Sequence, residues 1–72
     1  MIWVKILLYE TRSARHMSAR QLARRSGVSK THILNIENGR TIPTLSCLCL
    51  LADALDVDVR ELFEHHKGDP IL

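Results

Sequence analysis

The sequence has few of the features that enzymes and multidomain proteins need. Its 72 residues leave no room for a second domain, and the thin core of so short a chain gives little space for a catalytic cleft. No Ser-His-Asp set, carboxylate pair or glycine-rich phosphate loop stands out from the sequence. We therefore expect a single domain that is not an enzyme and that carries no cofactor.

Long apolar runs and usable cysteine pairs are also missing. No apolar stretch reaches the roughly 18 residues that a membrane span needs, and the apolar beginning of the chain lacks the cleavage site of a signal peptide. Cys47 and Cys49 lie two positions apart, which suits neither a structural disulfide nor a metal site on one helix face. We expect a cytoplasmic protein with no metal, no membrane contact and no evident small-molecule ligand.

The small net charge of +2 conceals an asymmetry along the chain. Residues 1–45 carry eight Lys and Arg against two Glu, a net charge of +6, whereas residues 46–72 carry two basic against six acidic residues, a net charge of −4. A basic half is typical of a surface that faces a polyanion. Charge alone is equally consistent with an uneven solvated surface.

A repeated pattern marks four helix starts. In each, a short polar residue directly follows an apolar residue, and a second apolar residue lies four positions after the polar one. This is the pattern expected of a helix N-cap with its hydrophobic staple. The polar residues are Ser18, Ser29, Thr44 and Asp58, and the predicted helices cover residues 18–26, 29–38, 44–55 and 58–65.

The helix ends and the beginning of the chain complete the predicted fold. Gly27, Gly39 and Asp56 stand where a left-handed residue ends a helix. Residues 2–15 contain no helix breaker and have a helical pattern, which predicts a first helix there. The sequence thus predicts an all-α fold of five short helices over residues 1–64, followed by a frayed tail over residues 65–72.

The second and third predicted helices are joined by only three residues, 27–29. So short a turn makes two helices cross steeply, and Ala23 supplies the small residue that their contact requires. Leu22, Val28, Ile33 and Ile36 form the apolar seam. This spacing predicts a helix-turn-helix motif over residues 19–38, in preference to an ordinary helical hairpin.

The same region resembles a known family. Residues 17–29, MSARQLARRSGVS, and residues 33–39, ILNIENG, are similar to the Cro/phage-repressor type of helix-turn-helix, often called the XRE family. The resemblance covers about residues 4–64. It implies a lambda-repressor-like five-helix domain that regulates transcription by binding double-stranded operator DNA in a sequence-specific way, usually as a homodimer on a near-palindromic site.

The third helix is expected to read bases in the major groove. Lys30 can donate hydrogen bonds to guanine and Asn35 can pair with adenine, while Thr31 and Leu34 can contact a thymine methyl group. The resemblance places base readers at Lys30, Thr31 and Asn35. Leu34 departs from the small polar residue that is common in the family.

Contacts to DNA phosphates are expected at helix starts and in the turn after the third helix. The candidates are Ser18, Arg20, Ser29, Asn38, Arg40 and Thr41. The resemblance also implies a buried ion pair between Arg12 and Glu37, which would orient the recognition helix without touching DNA.

Surplus apolar residues on the first and fourth predicted helices indicate a homodimer interface, although scattered apolar residues are also normal on a protein surface. These residues are Trp3, Ile6, Leu7, Cys47 and Leu50. Two other functions stay open. One is an antitoxin that binds both DNA and a toxin, against which the short tail argues. The other is a protein-interaction module that has lost DNA binding, against which the basic recognition surface argues.

Overall fold

The structure, a computed structural model, describes the backbone of residues 2–67 and the side chains of residues 4–65. Strand β1 (Ile2–Ile6) is followed by helices α1 (Leu8–Ala14), α2 (Ala19–Ser26), α3 (Lys30–Glu37) and α4 (Leu45–Leu55). A short 3₁₀ helix (Val59–Leu62) and strand β2 (Phe63–Lys67) complete the described chain. No helix in this part of the chain is long and apolar enough to cross a membrane.

All four predicted N-caps are confirmed. In each case the side-chain oxygen accepts a hydrogen bond from a backbone N–H two or three residues later, and at Ser18 and Asp58 a reciprocal capping box is complete. The left-handed positions are also confirmed, with φ of +78° at Gly27, +73° at Gly39 and +57° at Asp56. Local chemistry therefore sets where these helices begin and where the left-handed turns follow them.

The first predicted helix is wrong over its first part, because residues 2–6 form a strand. β1 pairs antiparallel with β2, in a register that places Ile2 opposite Lys67 and Ile6 opposite Phe63. β-branched residues at alternate positions suit a pleated strand, and pairing with a distant segment overrides the weak local preference. α1 begins only at Leu8.

The last predicted helix begins correctly at Asp58 but is a single 3₁₀ turn that ends at Leu62. Phe63 then has an extended backbone, and β2 continues to Lys67. Residues 65–67, which were expected in a frayed tail, are therefore paired with β1, and residues 68–72 lie outside the described residues. The described fold is mostly helical, with four α-helices and a two-stranded sheet in place of five helices.

The core lies between the helices and under the sheet. Leu22 on α2, Ile33 on α3 and Leu51 on α4 are fully buried, as are Leu8 and Leu62 beside the sheet. The backbone N–H of Leu7 donates to the carbonyl of Leu62 at 2.8 Å, and this hydrogen bond joins the end of β1 to the beginning of β2. The sheet thus closes one side of the core and connects both ends of the described chain.

Candidate nucleic-acid interface

The turn between α2 and α3 is fixed by its own hydrogen bonds. The buried Ser26 hydroxyl accepts from the backbone N–H of Val28 at 3.1 Å, and the N–H of Gly27 donates to the carbonyl of Ala23 at 3.0 Å. Val28 is itself buried in the core. These contacts hold the two helices as one helix-turn-helix unit.

Helix α3 divides into an inward and an outward face. Ile33 and Ile36 are 0% and 2% exposed, so they fix which side of the helix meets the core. Lys30 and Thr31 are exposed, and Asn35 is half-buried. These three sequence-predicted base readers therefore lie together on the part of α3 that remains open to solvent.

Leu34 occupies a different environment from the other candidate base readers. It is half-buried and packs against the core. It also lines a groove with Lys5 of β1 and Tyr9 of α1, where α3 meets these elements. Its contact with a thymine methyl group stays a prediction.

Candidate phosphate-binding groups lie at the starts of α2 and α3. At Ser18 the hydroxyl accepts from the N–H of Gln21 at 3.1 Å, and the Gln21 side chain accepts from the N–H of Ser18 at 2.9 Å. At Ser29 the hydroxyl accepts from the N–H of His32 at 3.1 Å. Arg20, the second residue of α2, is exposed. Each start thus combines a capped first turn with the positive end of a helix dipole.

The turn after α3 carries the remaining candidates. The backbone N–H of Arg40 donates to the carbonyl of Asn35 at 2.9 Å, and Gly39 has the left-handed conformation that the turn requires. Asn38 and Arg40 are exposed, whereas Thr41 is half-buried. The turn places these three side chains at the end of α3, next to the outward face of that helix.

Arg12 and Glu37 form a two-point ion pair between α1 and α3. Arg12 Nε donates to Glu37 Oε2 at 2.8 Å and Nη2 donates to Oε1 at 3.0 Å, with side-chain exposures of 12% and 6%. Arg12 Nη1 also donates to the carbonyl of Met17 at 3.1 Å, and its guanidinium lies 5.2 Å from the centre of the Tyr9 ring. Donating these hydrogen bonds to the Glu37 carboxylate raises the pKa of Arg12, so the guanidinium stays charged.

The hydrogen bond from Arg12 to Met17 extends this ion pair to the start of a third helix. Met17 directly precedes Ser18, the N-cap of α2. One guanidinium therefore connects α1, the beginning of α2 and the end of α3. The orienting role expected of this pair stays a prediction.

The charge asymmetry of the sequence now has a structural location. Exposed basic residues lie on α2, α3 and the following turn, and they include Arg20, Lys30 and Arg40. Exposed acidic residues lie on the second half of α4 and at the 3₁₀ helix, and they include Asp53, Asp58 and Glu61. The positive potential thus belongs to the elements that carry the candidate base and phosphate contacts.

The α2–α3 unit lies within residues 8–62, which match the profile of a family described as helix-turn-helix. The chain belongs to the helix-turn-helix family. This helix-turn-helix protein is 42% identical over 52 residues to y4dL of Sinorhizobium fredii, an uncharacterized HTH-type transcriptional regulator, with 72% of this chain and 26% of y4dL covered. It is 30% identical over 56 residues to the ImmF control region 10 kDa protein of Bacillus phage phi105, with 78% and 62% covered. The chain spans less than two thirds of the length of both relatives.

A solved structure is also similar to this helix-turn-helix protein. It is the crystal structure of the restriction-modification controller protein C.AhdI from Aeromonas hydrophila, with a TM-score of 0.72 and 35% sequence identity. The alignment covers 75% of this chain and 82% of that chain. The similarity therefore extends well beyond the α2–α3 motif.

In this helix-turn-helix protein, the residues expected at a dimer interface do not share one exposed surface. Cys47 is buried, because it lies one turn before Leu51 on the core-facing side of α4, and burial raises the pKa of its thiol. Its expected exposure is therefore wrong. Ile6 and Leu7 are half-buried, Leu50 is 51% exposed, and the side chain of Trp3 lies outside the described residues.

Three exposed aliphatic side chains were not predicted from the sequence. They are Ile42, Leu45 and Val4, with exposures of 92%, 67% and 53%. The exposure of Ile42 could have been predicted, because it is an apolar residue in a short connection between two predicted helices.

Proposed function

We propose that this chain regulates transcription by binding double-stranded DNA in a sequence-specific way, with α3 in the major groove. The observation that carries the proposal is the fixed presentation of α3. Ile33 and Ile36 hold one side in the core, Glu37 is tied to Arg12, and polar side chains occupy the open side. The major groove is wide enough to admit a helix held in this way.

Base reading is assigned to the open side of α3. Lys30 donates to the acceptors of guanine, Asn35 pairs with adenine, and Thr31 and Leu34 meet thymine methyl groups. Each good two-point contact discriminates between bases by about 1–3 kcal/mol. The exposure of Lys30 and Thr31, and the partial exposure of Asn35, support these roles.

Phosphate binding is assigned to the helix starts and to the turn that follows α3. The contributing residues are Ser18, Arg20, Ser29, Asn38, Arg40 and Thr41. Backbone N–H groups in the first turns of α2 and α3 and the charges of the two arginines would neutralise phosphates on either side of the groove. These contacts supply affinity and its salt dependence, while the bases supply specificity.

The functional unit in this proposal is a homodimer on a near-palindromic operator. Two-fold symmetry in the protein then matches two-fold symmetry in the site, with two α3 helices one DNA turn apart. The names of the relatives, a transcriptional regulator, a phage control region protein and a restriction-modification controller, support a role in the control of gene expression. A regulator of bacterial or phage promoters acts in the cytoplasm, where the DNA lies.

The proposal is tested by selecting bound duplexes from a random DNA pool at two salt concentrations. We expect an enriched near-palindromic sequence and an affinity that falls linearly with salt on a double-logarithmic plot. Arg60→Ala is the control variant. It removes one positive charge from the 3₁₀ helix, where Arg60 lies among acidic residues. It should select the same sequence as the wild type. A pool without enrichment, or binding that ignores salt, would contradict the proposal and favour an interaction module without DNA binding.

A further inference from the structure

Tyr9, in the first turn of α1, is an exposed aromatic residue in contact with a buried charge. It is 57% exposed, so burial in the core does not account for its position. Tyr9 and Arg12 are three positions apart on the helix, and residues at this spacing are neighbours on one helix face. The guanidinium carbon of Arg12 lies over the Tyr9 ring, 5.2 Å from its centre. A cation within about 6 Å of a ring face is attracted to it, and more strongly where water is partly excluded.

The Tyr9 ring stands in the groove between β1, α1 and α3. Tyr9 lines the groove from α1, and Leu34 and Asn38 line it from α3 and its end. Arg12 and Glu37 also line this groove, which encloses about 690 Å³. The ion pair therefore borders a space that water can enter, although its side chains are only 12% and 6% exposed. The Tyr9 ring occupies part of the groove beside Arg12 and so limits how much water reaches the pair.

The hydrogen bonds of Arg12 explain what the ring adds. Nε and Nη2 donate to the Glu37 carboxylate, and Nη1 donates to the carbonyl of Met17. These donors stand at the end of a long side chain, and fixing its rotamers costs conformational entropy. The Tyr9 ring restricts the same group without using any of its donors. Ring and carboxylate therefore hold the Arg12 guanidinium by complementary means.

This contact bears on DNA recognition because of where Glu37 lies. Glu37 is the last residue of α3, two positions after the proposed base reader Asn35. A binding side chain has to be held to within about 0.5 Å of its productive position by neighbours that are themselves fixed. We propose that Tyr9 is a positioning residue for sequence reading, which holds Arg12 against Glu37 and thereby fixes the end of α3. The inference rests on the proposed function and on the orienting role predicted for the ion pair.

The first test needs no DNA. The exchange of the Arg12 Nε–H proton with water is measured by NMR in the wild type, Tyr9→Phe and Tyr9→Leu. Phenylalanine keeps the ring, so exchange should stay close to the wild-type rate. Leucine keeps apolar bulk without the ring, so exchange should be severalfold faster. Equal rates in the three proteins would overturn the inference, because the ring would then neither shield nor restrain Arg12.

A double-mutant cycle separates this contact from general packing. Tyr9→Leu is introduced into the wild type and into the double variant Arg12→Met, Glu37→Met, in which the ion pair is absent. Urea denaturation should show that Tyr9→Leu raises the unfolding equilibrium constant about two- to fivefold in the wild type and leaves it unchanged in the pair-free protein. An equal effect in both backgrounds would show that Tyr9 contributes packing alone, and the inference would be wrong.

The functional readout is the ratio of the affinities for the duplex selected by the wild type and for an unrelated duplex. Tyr9→Leu should lower this ratio by about twofold or more, through weaker binding to the selected duplex. Binding to the unrelated duplex and its salt dependence should not change, because the proposed phosphate contacts are intact. Tyr9→Phe should keep the wild-type ratio. A parallel loss on both duplexes would make Tyr9 a direct backbone contact and overturn its positioning role.

These measurements distinguish failure of the inference from failure of the proposed function. If the wild type selects no duplex, the proposed function fails, while proton exchange and the cycle still report whether Tyr9 restrains Arg12. If the wild type selects a duplex and Tyr9→Leu binds it with the wild-type ratio, the positioning role fails and the proposed function stands.

Discussion

The Arg12 guanidinium satisfies three separate acceptors on Glu37 and Met17, so its removal has an unusually clear consequence. Arg12→Ala leaves the carboxylate of Glu37, only 6% exposed, without its two hydrogen bonds. Breaking one side of a buried ion pair commonly costs about 3–5 kcal/mol. We expect a loss of that size in the free energy of unfolding, measured by urea denaturation.

Two variants separate the lost charge pair from the lost side chain. Arg12→Lys keeps the charge but not the two-point geometry, so its loss should be smaller than that of Arg12→Ala. The double variant Arg12→Met, Glu37→Met removes both charges and should regain part of the stability. An Arg12→Ala variant as stable as the wild type would show that the pair contributes nothing to the fold.

Asp58 provides a prediction about pH at the same scale. The side-chain hydrogen bonds from Arg60, aided by its backbone N–H, lower the pKa of the Asp58 carboxyl from 3.8 to about 2. Because the folded-state pKa is depressed, this contact stabilises the fold above the unfolded pKa and is lost as the pH falls from about 4 towards 2. An NMR titration of the carboxyl should show the low pKa in the wild type and a higher pKa in Arg60→Ala. Equal values in the two proteins would contradict the assignment.

At the scale of the element, the sequence predicted helix starts better than the identity of the terminal segments. Ser18, Ser29, Thr44 and Asp58 act on neighbouring backbone groups, so the pattern that predicts each cap lies within a few residues of it. β1 and β2, in contrast, pair residues from opposite ends of the described chain. An apolar segment such as residues 2–6 fits either a helix or a strand until its partner is known.

Gly27, the C-cap of α2, gives a prediction about the stability of this helix end. An added Cβ would meet no atom within 4 Å, so any cost of Gly27→Ala comes from the backbone, which has φ of +78°. A residue with a Cβ in this left-handed conformation costs about 1–2 kcal/mol, and asparagine is tolerated better. Thermal unfolding should therefore rank the glycine protein above Gly27→Asn and Gly27→Ala last. Equal stability of glycine and alanine would exclude backbone strain as the reason for glycine here.

At the scale of the whole molecule, the candidate site was partly visible in the sequence because helix periodicity distinguishes the two faces of α3. Ile33 and Ile36 marked the core side, which left Lys30, Thr31 and Asn35 outward. The partial burial of Leu34 depends on how β1 and α1 meet α3, so its own helix could not reveal it. The apolar groove between the sheet and the beginning of α4 arises in the same way, from elements far apart in the chain.

The burial of Cys47 could have been predicted from the helical repeat of apolar residues along α4. Cys47, Leu51 and Leu55 repeat every four positions along α4, which places all three on one helix face and in the core. Assigning Cys47 to the apolar residues of a dimer interface implied that it was exposed. The helical spacing was the better guide, because all three residues belong to the buried core.

The main functional claim is that base contacts supply specificity and phosphate contacts supply affinity. The DNA affinities of Asn35→Ala and Arg40→Ala test this claim most directly. Each variant is measured on the duplex selected by the wild type and on an unrelated duplex, with Arg60→Ala as the charge control. Asn35→Ala should weaken binding to the selected duplex by about 1–3 kcal/mol and leave the unrelated duplex unaffected, because only base contacts are lost. Arg40→Ala should weaken both alike and lower the salt slope by about 1. A change of base preference in Arg40→Ala, or equal losses on both duplexes in Asn35→Ala, would contradict the assignment.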